Sequence, residues 1–122
     1  LKQANAANHL NKYYGDSGQV ERAFTYYKIL KKLADDHPGE PKLRVNLAKG
    51  AVHTMAGFAE VGDVMRTLPL YETLMRLTED NTNNLELLLR RAEGCINMMN
   101  SYLVSSQIEK SCYLKELRQS LI

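Results

Sequence analysis

The chain has 122 residues, 44% of them hydrophobic and 25% charged, which is the make-up of one globular domain able to bury its own core. Its 16 Lys and Arg against 14 Asp and Glu leave a net charge of +2, too little to argue for nucleic acid or an anionic membrane as a partner. No apolar run approaches the length needed to cross a bilayer.

Gly and Pro are few and clustered, and they divide the chain into six expected helices, over residues 1–15, 18–36, 41–60, 64–79, 84–104 and 107–121. The first break is Gly15-Asp16-Ser17-Gly18, and beyond it Val20, Ala23, Phe24, Tyr27 and Leu30 form a helical apolar stripe. His37-Pro38-Gly39-Glu40-Pro41 is the second break, with Pro41 suited to a first helical residue. At Gly62-Asp63, Asp63 is placed to cap the fourth helix. Pro69 lies inside that helix and lacks the N–H of the ladder, so the helix either kinks or starts late with Thr67 as its cap. Asn81-Thr82-Asn83-Asn84 follows, where Asn83 and Glu86 have capping-box spacing. The fifth helix carries the stripe Leu85, Leu88, Ala92, Cys95, Met99 and Tyr102, broadened by Leu89 and Ile96. A last break is expected at Ser105-Ser106, with Ser106 and Glu109 as a second capping box. No period-two alternation runs long enough for a strand.

The sequence repeats at a lag of 44 residues: His9 maps onto His53, Gly18 onto Gly62, Val20 onto Val64, Tyr27 onto Tyr71, Leu30 onto Leu74 and Asp36 onto Asp80. A second step takes Ala48 to Ala92, Gly50 to Gly94, Met55 to Met99 and Leu77 to Leu121, and both steps together take Tyr14 to Phe58 to Tyr102. A fixed period of this size is the signature of stacked helical hairpins. Gly18, Gly62 and Ser106 fall at the turn inside each hairpin. Ala6, Gly50 and Gly94 are small and allow two helix backbones to approach, while Tyr14, Phe58 and Tyr102 wedge between the helices of a pair.

These residues resemble the tetratricopeptide repeat. Leu10, Tyr14, Gly18, Ala23, Tyr27 and Leu30 follow its pattern, with Pro38 closing the unit; the second unit keeps Phe58, Gly62, Tyr71 and Leu74 with Thr67 for Ala, and the third keeps Tyr102 but has Ser111, Lys115 and Arg118. The family unit has about 34 residues, so both helices here are longer. The resemblance implies an all-α fold, a right-handed α-α superhelix of three antiparallel helix pairs, forming one domain over 1–122 with units of about 1–41, 42–84 and 85–122. The chain opens on Leu1 without Met and closes on Leu121-Ile122, and a piece of a longer protein is expected.

No constellation for catalysis, cofactor or metal stands out. His9 and His53 recur at one repeat position, but a metal needs a third ligand. Gly15-Asp16-Ser17-Gly18 has the wrong spacing for a phosphate loop. Cys95 and Cys112 match no metal spacing and are expected to be buried free thiols, which fits a reducing, cytoplasmic setting. The basic patches Lys28, Lys31, Lys32 and Arg90, Arg91 read as solvated faces.

The expected function is therefore a protein-interaction scaffold and not an enzyme. In the tetratricopeptide family the first helix of each unit lines the groove that holds a partner segment. By alignment that groove takes Asn5, Asn8, His9 and Lys12 from the first unit, Lys49 and His53 beside Val52 and Ala56 from the second, and Glu93, Asn97 and Asn100 beside Ile96 from the third. Val52, Ala56 and Ile96 are apolar where the family's carboxylate clamp is polar, so an acidic chain terminus is not the expected ligand. Lys49 and Glu93 are also placed to pair with each other. Leu114, Leu117 and Leu121 should leave the last helix with an uncovered apolar side that contacts a further helix or a second copy. The alternative is a ligand-sensing or dimerisation segment of a multidomain signalling or transcription regulator, which would need an enclosed pocket with convergent polar groups.

Overall fold

The computed structural model describes residues 1–79 and 83–121. Among them the chain forms five α-helices and no strand: α1 (Lys2–Asp16), α2 (Val20–Asp36), α3 (Pro41–Glu60), α4 (Val64–Glu79) and α5 (Leu85–Ser120). The first four match the sequence reading to within about two residues. Asp80, in the 44-residue series, the Asn81-Thr82 half of the fourth break, and Ile122 lie outside the described residues.

Local chemistry sets the starts and stops. Gly18 and Gly62 take φ of 76° and 69° in the two tight reversals, the left-handed region that a Cβ disfavours. Pro41 opens α3 behind Glu40, whose carboxylate accepts from the Lys42 N–H. Asp63 caps α4 by accepting from the Arg66 N–H at 3.2 Å. The α5 cap is Asn84 rather than Asn83, accepting from the Leu87 N–H at 3.2 Å. Pro69 does not delay α4: the helix starts at Val64 and runs through it, and Thr67 is a buried helical residue rather than a cap.

The helices form two layers. α1, α3 and α5 lie side by side, and α2 and α4 pack across them, so α3 touches all four others. That position explains its composition. Ala48, Ala51, Met55, Phe58 and Ala59 are wholly buried, and glycine stands where neighbours press closest. A Cβ at Gly50 would stand 2.6 Å from Leu30 Cδ1, one at Gly57 2.7 Å from Val20 Cγ2, and one at Gly94 in α5 2.5 Å from Leu74 Cδ1. Ala6, expected among these small contact residues, is exposed, because no helix precedes α1 in its layer among the described residues.

A buried polar link locks α1 to α3. Asn11 donates to the Ala23 carbonyl at 2.7 Å and to Thr54 Oγ1 at 2.8 Å, and the Thr54 hydroxyl donates to the Gly50 carbonyl at 2.8 Å. Across α4 and α5, Thr67 and Ser101 hydroxyls meet at 3.3 Å. Tyr27 is buried, and burial raises its pKa above the ordinary phenol value against a smaller lowering by Thr73 of α4.

The expected third hairpin is absent. Residues 84–104 and 107–121 form one helix of 36 residues, about 54 Å long at 1.5 Å per residue. Ser106 lies within it and caps nothing, and every described residue from there to Leu121 is exposed. Gly18 and Gly62 supply the left-handed residue that a reversal needs, whereas Ser106 pays about 1–2 kcal/mol to adopt it. With neither Gly nor Pro between Cys95 and Leu121, the backbone stays in the ladder. The expected stripe of α5 is consequently bare: its buried residues are Leu87, Gly94, Met98 and Ser101, while Met99 and Tyr102 face outward. Tyr14 is half-buried and stacks on Tyr26 at 5.7 Å, and Phe58 is wholly buried, so only the first two of the three wedge aromatics have a helix against them. Both cysteines are free, but Cys95 is half-buried and Cys112 exposed, because the segment holding Cys112 is exposed throughout and packs on no other helix among the described residues.

Two stability measurements follow. Phe58→Ala should lose about 3–5 kcal/mol in urea unfolding, the range for a large aromatic removed from a packed core. Gly18→Ala should lose about 1–2 kcal/mol for its backbone conformation alone, and Gly62→Ala clearly more. A Cβ at Gly18 meets open space, while one at Gly62 would stand 2.9 Å from the Ser105 backbone nitrogen.

Candidate partner-binding groove

The groove residues inferred from the sequence come from α1, α3 and α5, and the side-by-side packing of these helices decides which of them meet. At the seam of α1 and α3, Asn8 donates to the Asn46 carbonyl at 2.9 Å, and Asn46 donates to Asn5 Oδ1 at 3.4 Å. At the seam of α3 and α5, Asn97 donates to the Val52 carbonyl at 3.0 Å. In both cases a side-chain amide uses the second lone pair of a helical carbonyl. Asn8 and Asn97 thus hold neighbouring helices together as well as lying on the expected face.

Between α3 and α5 a cavity of about 270 Å³ opens to solvent, lined by Val52, His53, Ala56, Glu93, Ile96 and Asn97. Three of the expected groove residues, His53, Glu93 and Asn97, converge here with the three apolar residues aligned beside them. His9, Lys12, Asn100 and Asn5 are exposed and lie outside this cavity, and Lys49 is half-buried beside it. Lys49 and Glu93 do not pair: Lys49 reaches Glu86 at 4.0 Å, and Glu93 accepts from Arg90 at 2.9 Å. Arg90 also bonds Glu86 at 3.0 Å, making a short charged chain along the rim. At this exposure such pairs contribute about 0–1 kcal/mol each.

His53 is the group in the cavity with an altered protonation equilibrium. Burial lowers its pKa from the usual imidazole value, and the positive charges of Lys12 and Arg90 lower it further, against weaker pulls from Asp16 and Glu93. Its Nδ1 is buried and finds no hydrogen-bond partner among the described residues. The ring is therefore neutral near pH 7 and offers a hydrogen-bonding edge in a partly apolar setting. The same repeat position holds His9, which is exposed, so the two histidines do not form a uniform row. Among the described residues no group of three or more His, Cys, Asp or Glu is arranged to hold a metal.

On the opposite layer a larger open cavity of about 530 Å³ lies among α2, α3 and α4, with Lys31, Asp35, Arg44 and Arg76 in its walls. The basic patches are largely compensated: Lys31 pairs with Asp35 at 2.8 Å, Lys32 with Asp36 at 3.4 Å, and Lys28 sits 4.5 Å from the Phe24 ring centre. Tyr71, the repeat counterpart of buried Tyr27, is only half-buried, its hydroxyl 3.1 Å from Cys95 Sγ. That contact is the first cause of its raised pKa, ahead of burial.

Sequence reasoning missed Asn46, Glu86 and the Asn11–Thr54 link. Asn11 stands where the later units have Met55 and Met99, so the repeat itself pointed to an apolar side chain there. No protein-family model matches the chain, no curated protein matches its sequence, and no solved structure matches its fold. No helix among the described residues is long and apolar enough to cross a membrane.

The His53 environment sets a pH dependence. A histidine whose folded pKa is depressed stabilises the fold above its unfolded pKa of about 6.5, and that contribution is lost as pH falls toward the folded value. The melting temperature of the wild type should therefore drop between pH 7.5 and 5. In His53→Gln that part of the drop should disappear, as parallel thermal melts across the range would show.

Proposed function

We propose that this chain is a tetratricopeptide-like helical-repeat scaffold with a 44-residue unit, which binds an extended segment of another protein along the exposed face of α1, α3 and α5. The observation that carries this reading is the convergence, in one open cavity, of Val52, His53 and Ala56 from α3 with Glu93, Ile96 and Asn97 from α5, the positions that the family resemblance assigns to the groove.

The chemistry of the cavity narrows the ligand. Val52, Ala56 and Ile96 give it an apolar floor, and neutral His53 with Asn97 supplies hydrogen-bonding groups at its edge. An apolar side chain of an extended segment fits such a space, with its backbone bonded along the rim. Of the cations about the cavity, Lys49 and Arg90 are engaged by Glu86 and Glu93, which leaves only Lys12 of α1 to draw a terminal carboxylate toward His53. Openness to solvent supports a scaffold over a small-molecule sensor, whose pocket would be enclosed.

Peptides selected from a random display library against the whole chain give the test. Lys49→Glu combined with His53→Ala should weaken their binding at least tenfold in calorimetric titration while the melting temperature stays within a few degrees. Selected peptides that bind this double variant as tightly as wild type would place the binding surface elsewhere.

A further inference from the structure

The first helix of each sequence unit carries a stripe at the same four positions: Ala4, Ala7, Asn11 and Tyr14 in α1; Ala48, Ala51, Met55 and Phe58 in α3; Ala92, Cys95, Met99 and Tyr102 in α5. In α1 this stripe meets α2, through Asn11 on the Ala23 carbonyl and Tyr14 stacked on Tyr26. In α3 all four residues are wholly buried. In α5 Cys95 is half-buried against Tyr71 of α4, but the rest of the stripe is bare, with Met99 71% and Tyr102 54% exposed where Met55 and Phe58 are 0%.

The helix that would cover it is present in the chain but cannot reach. Ser111, Leu114 and Leu121 fall where Ala23, Tyr26 and Leu33 of α2 and Thr67, Leu70 and Leu77 of α4 pack into the fold. In this structure Ser111 and Leu114 belong to the same helix as the stripe, Leu121 follows its last residue, and all three are exposed. The opposite face of this segment also has a telling composition. Tyr27 and Leu30 press on Gly50 of the following helix, and Tyr71 and Leu74 on Gly94; the corresponding residues here are Lys115 and Arg118. Leu114 and Leu121 thus stand where a second helix covers its own first helix, and Lys115 and Arg118 where it meets the next unit, although Ile108 keeps an apolar residue at the position from which Val20 meets Gly57.

We propose that two copies of the chain exchange this segment. Each lays residues 106–121 of its α5 antiparallel on the bare stripe of the partner's α5, so that both copies complete their third helix pair. This is a domain swap in which the hairpin turn opens into continuous helix. The hinge is Ser106, which stands where Gly18 and Gly62 adopt positive φ in the closed turns, and a serine resists that conformation. The exchange rests on the repeat correspondence used above but on a different face from the groove, so failure of either leaves the other's test intact.

The register is specific. Tyr14 against Tyr26 in the first pair corresponds to Tyr102 against Leu114 in the third. Within one continuous helix these two residues stand about 18 Å apart, far beyond the reach of a disulfide. The experiment uses the full chain carrying Cys95→Ala and Cys112→Ala, into which Tyr102→Cys and Leu114→Cys are introduced separately and together. Tyr102 and Leu114 are exposed, and because Cys95→Ala removes the contact with Tyr71, the melting temperature and dimerisation of the Cys95→Ala, Cys112→Ala chain are compared with wild type first. Oxidation of the two single variants mixed should give a disulfide-linked dimer that neither gives alone. Light scattering should show wild-type dimers, and Ser106→Gly should weaken association roughly tenfold or more, because glycine frees the closed turn and weakens the continuous helix. An intrachain disulfide in the double variant, seen as a fast-running monomer, would mean the hairpin closes on itself and would overturn the exchange. So would a monomer at all concentrations, absence of the mixed crosslink, or unchanged association of Ser106→Gly.

Discussion

The close approach of helix backbones to α3 is the constraint on which the rest of the molecule depends. α3 is surrounded by all four other helices, and at two of its contacts an added methyl group would make a neighbour shift: Leu30 over Gly50, and the stiffer Val20 over Gly57. A third such contact, Gly94 beneath Leu74, brings α5 against α4. Interiors packed to crystal-like density transmit any added volume to the neighbours. Larger residues here would push apart the layers and with them the seam that holds the α3–α5 cavity. The cavity thus exists where it does because glycine sets the spacing on the other side of the helices that line it.

Polar groups within this tight packing give direction where apolar contacts alone would allow sliding. Asn11, Thr54 and the carbonyls of Ala23 and Gly50 form one buried hydrogen-bonded link through α1, α2 and α3, and Thr67 with Ser101 forms a smaller one between α4 and α5. A buried donor without its partner costs about 1–3 kcal/mol, so a shift of α1 along α3 is penalised in a way that an all-apolar seam would not penalise it. Asn8 and Asn97 act likewise at the edge of the groove face. Groove residues that also join helices connect any ligand on that face to the packing of the α1–α3–α5 layer.

The fate of the third pair turns on a small free-energy difference. Closing a hairpin at Ser106 means placing a residue with a Cβ in the left-handed region, at about 1–2 kcal/mol, and breaking the ladder of a helix that contains no Gly or Pro beyond Gly94. The return would come from burying Met99, Tyr102 and Leu114, about 1.5–3 kcal/mol for each fully buried side chain, and an exchange between two copies gains that burial without closing the turn. A continuous helix in an isolated chain therefore leaves a strong driving force unspent, and that imbalance makes a covering helix from a second copy the proposed resolution.

The sequence by itself determined the helical class, the bounds of the four helices up to Glu79, and the glycine reversals at Gly18 and Gly62, because periodicity, caps and turn residues act over a few neighbouring positions. It also singled out Val52, His53, Ala56, Glu93, Ile96 and Asn97 as sharing one face, since repeat alignment places equivalent residues on equivalent helices. The joining of residues 84–104 and 107–121 into one helix was left to tertiary structure. A Ser-Ser pair with a Glu three residues on has the form of a cap, and whether it acts as one depends on what a closed hairpin would bury. Tertiary structure alone also decided that Asn11 would be buried on Thr54, that Lys49 would meet Glu86 instead of Glu93, and that the Met99–Tyr102 face would be bare. In each case the outcome depends on which helices lie alongside, a relation between distant segments that local pattern does not encode.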